Sequence, residues 1–461
     1  MPMDVLRRLG PVTAIAHCEC PLSFSPSASN PRRSACPGLE RIVPALDGGI
    51  CRIKLACGRM SSEQARQVAA AAEACGEGVL ELTNRSNLQL RSIRPEHEPE
   101  LIRRLLEAGL GPRQAGADDV RNLLVSPAAG LDPQAILDVR PQAERLLTLL
   151  QDTPAFHALS PKFALQLDGG EALAAIDHPH DIWLAALPGG ERLALGLAGC
   201  PWQAPVLEVS VASATELVAC LLEAFLRLAQ PGESRMRHLL ARLPVAAFLA
   251  ALDQPPAFSL GSSARRSIRP VAPRPGSYPQ RQAGLAMCLA GAPLGRLHAT
   301  QWRALAEIAE DEGTGWLHLT PWQGVLLPGV KLERVELVQA RLHAIGLLTE
   351  DSDPLLRLTA CSGSAGCGRG LADTKSDALR LAGLLPTTGG TSGIHLSGCP
   401  RSCAAAHVAP YTLLAQTPGH YSLYRRTQDA AGFGQLLATS IGIDEAAAWL
   451  AASDDQDSLH D

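Results

Sequence analysis

The chain has 461 residues, 46% of them hydrophobic and 19% charged, with a formal net charge of −5 at pH 7. A single core stops growing near ~250–300 residues, so several domains and room for a large pocket are expected. The charge balance speaks against nucleic acid as a partner, and no apolar run approaches the ~20 residues of a membrane span.

The first residues lack the apolar core and cleavage site of a signal peptide, and residues 1–40, with "SFSPSASNPRRSACPG", read as a poorly ordered leader. Thirteen cysteines at irregular spacing and in odd number then point to reduced thiols in the cytosol instead of a disulfide framework. The small "HCEC" group, His17, Cys18 and Cys20, reads as fortuitous.

An internal repeat follows. Shifted by 237 positions, "ICRIKLACGRMSSEQARQVAAAAEACGEGVLELT" (50–83) falls without gaps on "MCLAGAPLGRLHATQWRALAEIAEDEGTGWLHLT" (287–320). Cys51 meets Cys288, Gly58 meets Gly295, Gln64 meets Gln301, and Gly76 and Gly78 meet Gly313 and Gly315. Each copy reads strand, turn, amphipathic helix, Gly turn, strand, which is half of a split βαβ unit, and two such halves are expected to pair into one sheet. Half domains are placed at 41–112 and 283–350.

Between them the pattern predicts a helix at 97–109, a strand at "VRNLLVS", a helix at 133–150, and strands at "FALQLDGG", "DIWLAAL" and "ERLALGLAG". Helices at 213–230 and 233–252 complete an α/β domain over 113–254. The Pro-, Ser- and Arg-rich stretch 255–282 reads as a linker. The last block, 351–461, carries a helix at 373–384 and strands at "SGIHLS" and "PYTLLAQ". The fold class is α/β (α+β) with mixed sheets.

The last block also holds the sharpest feature: "TACSGSAGCGRG", with Cys361 and Cys367, and "SGCPRSCAAAH", with Cys399 and Cys403. On a helix, residues four apart share a face, so Cys399 and Cys403 are expected to reach one centre, with Pro400 in the first helical turn. Gly363, Gly366, Gly368 and Gly370 let the backbone fold around sulfurs and donate N–H bonds to them. Structural zinc usually shows two short pairs with two to four intervening residues, and the gap of five between Cys361 and Cys367 tells against it. Buried unliganded cysteines remain the bland reading, but the interleaved glycines lack any apolar period. The residues favour a 4Fe–4S cluster.

The C-x5-C and "GCPxxC" pair, with the "LxLTxR" ending of the repeat, resembles the sirohaem-dependent sulfite and nitrite reductase family. The resemblance implies that fold: two ferredoxin-like half domains joined into one domain, plus two mixed-sheet α/β domains, with Cys361, Cys367, Cys399 and Cys403 as cluster ligands. It also implies roles for cations. Arg85 in "LTNRSNLQLR" and Arg121 in "DVRNLL" match the family's arginines, and Lys162 in "SPKFALQLDGG" matches the first of two lysines. Ala164 replaces the second, removing a charge-assisted hydrogen bond worth about 1.5–3 kcal/mol. Arg91 and Arg401 join the substrate-binding candidates by position. Trp322 stands where the first copy has Arg85, which makes the halves unequal in function.

"SPAAGLDPQAILDVRPQAERL", "FALQLDGG" and "IHLSGCPRSCAAAH" resemble the precorrin-3B synthase branch of that family, in which the carboxylate-fringed tetrapyrrole precorrin-3A is substrate. That resemblance implies an oxygen-dependent monooxygenase of cobalamin biosynthesis, hydroxylating C-20 and closing a ring A γ-lactone. Its cofactors are a 4Fe–4S cluster and a mononuclear non-haem iron. His395 and His407 are ligand candidates for that iron, because neutral imidazole suits it. No G-x-G-x-x-G follows a strand, so NADH-derived electrons are expected from a separate donor protein or reductase. The alternative within the family is a sirohaem-dependent sulfite or nitrite reductase.

Overall fold

What the two repeat copies share is what their backbone requires. Cys57 and Leu294, at equivalent positions, both take a left-handed conformation (φ 54° and 48°), followed by left-handed Gly58 and Gly295 (φ 67° and 71°). A methyl group on Gly58 would lie 2.9 Å from Ser86 Cβ, and one on Gly295 would lie 3.2 Å from Gln323 Cβ, the residue matching Ser86. Gln64 accepts from the Ser61 N–H at 3.1 Å and donates to the Ala108 carbonyl at 3.1 Å. Gln301 repeats both bonds, with His298 N–H and the Ile345 carbonyl, at 2.8 Å each. One amide thus caps one helix and anchors the end of the next.

The computed structural model describes residues 36–261, 273–387, 393–427 and 432–457, with side chains only to 452 in the last helix. Most of the leader, including His17, Cys18 and Cys20, and the middle of the 255–282 stretch lie outside these residues. Among the described residues no helix is long and apolar enough to cross a membrane.

The halves form two five-stranded sheets instead of one, and each lends the other a strand. Arg59–Ser61 leaves its own half to pair antiparallel with Trp316–Leu319, and Arg296–His298 pairs with Val79–Leu82. The registers obey the repeat: Arg59 opposes His318 as Arg296 opposes Glu81. Helices Ser62–Cys75 and Ala299–Glu312 pack on each other, and apolar residues of both halves make a single core from Leu39 to Leu347. Neither half buries its apolar face alone.

Two mixed sheets follow the same plan. In one, Leu123–Val125, Leu165–Asp168 and His180–Ala186 run parallel, then Arg192–Gly199, Leu207–Ser210 and Phe258–Leu260 continue antiparallel. In the other, Leu358–Ala360, Ile394–Ser397 and Tyr411–Thr417 run parallel, and His420–Arg425 and Gln435–Ile441 continue antiparallel.

Several boundaries differ from the sequence reading, mostly at prolines. The helix expected over 133–150 is Arg140–Asp152, because Pro141 is tolerated only in a first turn. The helix expected over 233–252 is two, Met236–Leu240 and Val245–Ala250, parted at Pro244. Both ends of the 255–282 stretch are strands: Phe258–Leu260, and Gly276–Pro279 paired with Leu285–Gly291.

Candidate functional site

Ligands in open α/β sheets bind outside the carboxyl ends of parallel strands. The cysteines lie there. Cys361 directly follows strand Leu358–Ala360, and Cys399 follows strand Ile394–Ser397 by two residues. A single helical turn, Gly363–Gly366, joins Cys361 to Cys367, whose N–H donates to the Gly363 carbonyl at 2.9 Å. The helix expected to carry Cys399 and Cys403 does not form. Ser402 takes a left-handed φ of 52°, and Ser397 Oγ donates to the Cys399 carbonyl at 2.8 Å, so the pair sits on a loop.

The loops fit a cluster held by thiolates. Gly398 N–H donates to Cys361 Sγ at 3.2 Å, and Thr374 Oγ1 lies 3.5 Å from the same sulfur. A methyl group on Gly398 would come within 3.1 Å of Gly370 Cα, one on Gly370 within 2.4 Å of Gly363 C, and one on Gly363 within 2.5 Å of Thr374 N. No side chain has room there. Burial pushes the Cys403 thiol up, and the nearness of Cys399, Cys361 and Cys367 pushes it further, although the residue as a whole is exposed. Such mutual repulsion among thiolates is what bound iron relieves.

Beside these loops a narrow cavity is lined by Arg85, Asn87, Asn122, Ala164 and His180. Arg85 reaches it on the turn after strand Val79–Leu82. Thr83 Oγ1 accepts from the Arg85 and Asn87 N–H groups at 3.3 and 3.1 Å, and Asn84 Nδ2 donates to the Ala404 carbonyl at 3.3 Å. That last bond ties the arginine's turn to the Cys403 loop. Burial first, then the neighbouring charges of Arg235 and Arg52, lower the Arg85 pKa to about 10. No side chain among the described residues hydrogen-bonds its guanidinium. A half-buried cation beside Arg52 and beside Arg235, which is paired with Asp181 at 2.8 Å, is a place for an anion.

The remaining cations are placed differently. Arg121 spends its guanidinium on Asp118 at 2.8 Å and the carbonyls of Gly111 and Leu110 at 3.0 and 3.1 Å. Arg91 is buried and bound to Asp47, Glu81 and the Gly366 carbonyl, so it braces the loop between Cys361 and Cys367. Lys162 is exposed. Arg401 is exposed as well, close enough to Cys403 for its charge to favour the thiolate. Of the four positions matched to the reductases, only Arg85 and Ala164 line the cavity. Arg52 and Arg235, beside Arg85, were missed by the sequence reading. Arg52 stands two residues before Lys54 in "ICRIKL", and this face of the strand meets other protein, since Lys54 is 3% exposed and donates to the Asp118 carbonyl.

The two candidate histidines also diverge. His395 is 1% exposed within its strand, with Nδ1 3.4 Å from Ser402 Oγ and no partner for Nε2. His407 meets Asp177 and His178, residues that sequence reasoning did not single out.

Burial holds His395 and His318 neutral, lowering each pKa to about 4, against about 6.5 when unfolded. The unfolded chain therefore binds more protons between these values. The stabilisation is complete above pH 6.5 and is lost as pH falls towards 4, by about 1.4 kcal/mol per pH unit for each histidine. Urea midpoints measured from pH 7 to 5 are expected to fall accordingly, and His318→Gln should flatten the slope by one proton. An unchanged slope would refute the assignment.

Comparison with known proteins agrees with this architecture. Residues 44–108 and 278–345 match the nitrite/sulfite reductase ferredoxin-like half domain, and residues 116–258 match the nitrite and sulphite reductase 4Fe-4S domain. The four cysteines lie beyond the matched segments. The chloroplastic ferredoxin–nitrite reductase of Zea mays is 31% identical over 389 residues, covering 78% of this chain and 68% of its own. That of Arabidopsis thaliana is 31% identical over 388 residues, covering 78% and 66%. The chain thus spans about two thirds of these relatives. A precorrin-3B synthase of Sinorhizobium sp is 27% identical over 412 residues, covering 87% of this chain and 85% of its own. The Mycobacterium tuberculosis NirA protein has the same fold, with a TM-score of 0.72 at 20% identity over 87% of this chain and 79% of that one.

Proposed function

Since the chain belongs to the nitrite and sulfite reductase family of oxidoreductases, whose 4Fe-4S domain supports an iron–sulfur cluster, we propose that it is a precorrin-3B synthase. In this reading it uses dioxygen to convert precorrin-3A to precorrin-3B. One oxygen atom becomes the C-20 hydroxyl, the ring A acetate closes a γ-lactone, and two electrons and two protons carry the other oxygen to water. The electrons come from an external donor.

One observation carries the reading. The cation set that a reductase would aim at a small oxyanion is not assembled: Ala164 has no charge, Arg121 is bound to Asp118, and Lys162 is exposed. Arg85 remains, near Arg52 and near Arg235, which is itself paired with Asp181 at 2.8 Å. A guanidinium there suits a carboxylate arm of a large ring, which it can grip with two parallel N–H bonds. The residues divide the work accordingly. Cys361, Cys367, Cys399 and Cys403 hold the cluster, which when bound supplies single electrons. Arg85 grips one carboxylate arm of the macrocycle; the cavity beside Asn87 and His180, about 10 Å³, itself has room for about one water molecule. Coverage of the precorrin-3B synthase relative, 85% of its length, supports the same reading.

The sirohaem-dependent nitrite or sulfite reductase is the second reading, favoured by the 31% identity to plant nitrite reductases. The purified protein separates them. Broad cluster absorption without a Soret band, and labelled oxygen entering precorrin-3A in the presence of reductant, are expected. Stoichiometric sirohaem and reduction of nitrite or sulfite would overturn the proposal.

A further inference from the structure

We propose that Asp177, His178 and His407 form a binding site for one divalent transition-metal ion, distinct from the four-cysteine centre. The loops after strands Leu165–Asp168 and Ile394–Ser397, equivalent in the two mixed sheets, bring these residues together. One ligand atom from each lies within 4.8 Å of the others. His407 Nε2 is 3.1 Å from Asp177 Oδ2, and His178 Nε2 is 4.0 Å from Asp177 Oδ1. The two imidazoles meet edge-on, with centroids 5.7 Å apart.

The second observation is an unpartnered nitrogen. His178 is 6% exposed; its Nδ1 has no hydrogen-bond partner, and its Nε2, the nitrogen nearer Asp177, stands 4.0 Å from that carboxylate, beyond a hydrogen bond. An orphaned buried polar atom costs about 1–3 kcal/mol. An ordinary ion pair needs only Asp177 and His407 and gives no account of a third, buried imidazole beside them. Two neutral imidazoles and one carboxylate are the donor set that suits iron(II), cobalt(II) or zinc(II) while leaving coordination positions open. The side chains of Asp177 and His407 are 37% and 34% exposed, so an open side exists. Ligand distances near 2.0–2.2 Å require the three side chains to close by about an ångström.

His407 follows Cys403 by four residues, and the His178 carbonyl contacts the Nδ1 of His180, which lines the Arg85 cavity, at 2.9 Å. The site thus stands between cluster loop and cavity. Naming its ion as the mononuclear iron rests on the function proposed above; the site itself does not.

The test uses the full chain with its cluster oxidised and diamagnetic. Cobalt(II) added without oxygen is followed by dialysis with metal analysis and by the EPR signal of high-spin cobalt. One bound cobalt per chain is expected. His407→Ala and Asp177→Asn should each weaken binding by about tenfold or more, with cluster iron and sulfide unchanged. His407 and Asp177 are partly exposed, so these variants do not depend on refilling a core position. Absence of bound cobalt in the wild type, or wild-type affinity in both variants, would overturn the site. Loss of cobalt in the variants supports it whatever happens to precorrin-3A. If the iron-loaded wild type then fails to oxygenate precorrin-3A, the proposed function falls and the site stands.

Discussion

Cys403→Ser is expected to lose its iron and acid-labile sulfide about tenfold or more, and turnover with them. A serine hydroxyl at neutral pH is neither the thiolate nor the soft donor that iron–sulfur clusters take. The loop offers no substitute, because glycines and backbone fill the space around Cys361, and Gly398 N–H and Thr374 already serve its sulfur. Cys220→Ser is the control: this cysteine lies in helix Ala214–Leu228, in the other mixed-sheet domain. Its cluster content should equal that of the wild type. Wild-type iron and sulfide in Cys403→Ser would remove that residue from the ligand set and, with it, the grounds for placing a cluster between the two loops.

That the four cysteines stand on neighbouring loops after parallel strands was open to reading from their place among glycines, yet their local geometry was not. Spacing alone put Cys399 and Cys403 on a helix, whereas left-handed Ser402 makes the segment a loop. The repeat was legible because one constraint acts twice, at Gly58 and Gly295 and at Gln64 and Gln301. The exchange of strands was hidden: three residues such as Arg59–Ser61 carry no sign of whose sheet they will join. The cations show the same limit. Residue type identifies a charge, and tertiary neighbours decide its use. Arg121 has its partner three residues back, in Asp118, a spacing that was open to reading. Arg91 takes Asp47 and Gly366 from distant segments. "AIDHPHD", containing Asp177 and His178, alternates acids and histidines in a loop, but His407 joins it only through the fold.

Glu81→Leu is the second large expected effect, a loss of about 3–5 kcal/mol in stability by urea unfolding, because it strands buried cations. Glu81 is 8% exposed on strand Val79–Leu82. Arg296 from the exchanged strand approaches it at 2.7 Å, Arg91 from the neighbouring strand at 3.4 Å, and Lys375 from the cluster domain at 3.8 Å. Burial raises the Glu81 pKa, but Lys375, Arg91 and Arg296 outweigh it and hold the carboxyl below its usual range. The charge is therefore present at neutral pH, and three segments distant in sequence converge on it. Lys375 also donates to the carbonyls of Leu294 and Ala360 at 2.7 and 3.2 Å, so the same network joins the half domains to the strand that precedes Cys361. Adding Lys375→Met to Glu81→Leu should recover part of the loss, although Lys375→Met alone destabilises; that sign reversal in a double-mutant cycle identifies the stranded charge as the cause. A cost for Glu81→Leu below about 1 kcal/mol, the range of an exposed pair, would show that water reaches these cations and that the half domains and cluster domain are held together by something else.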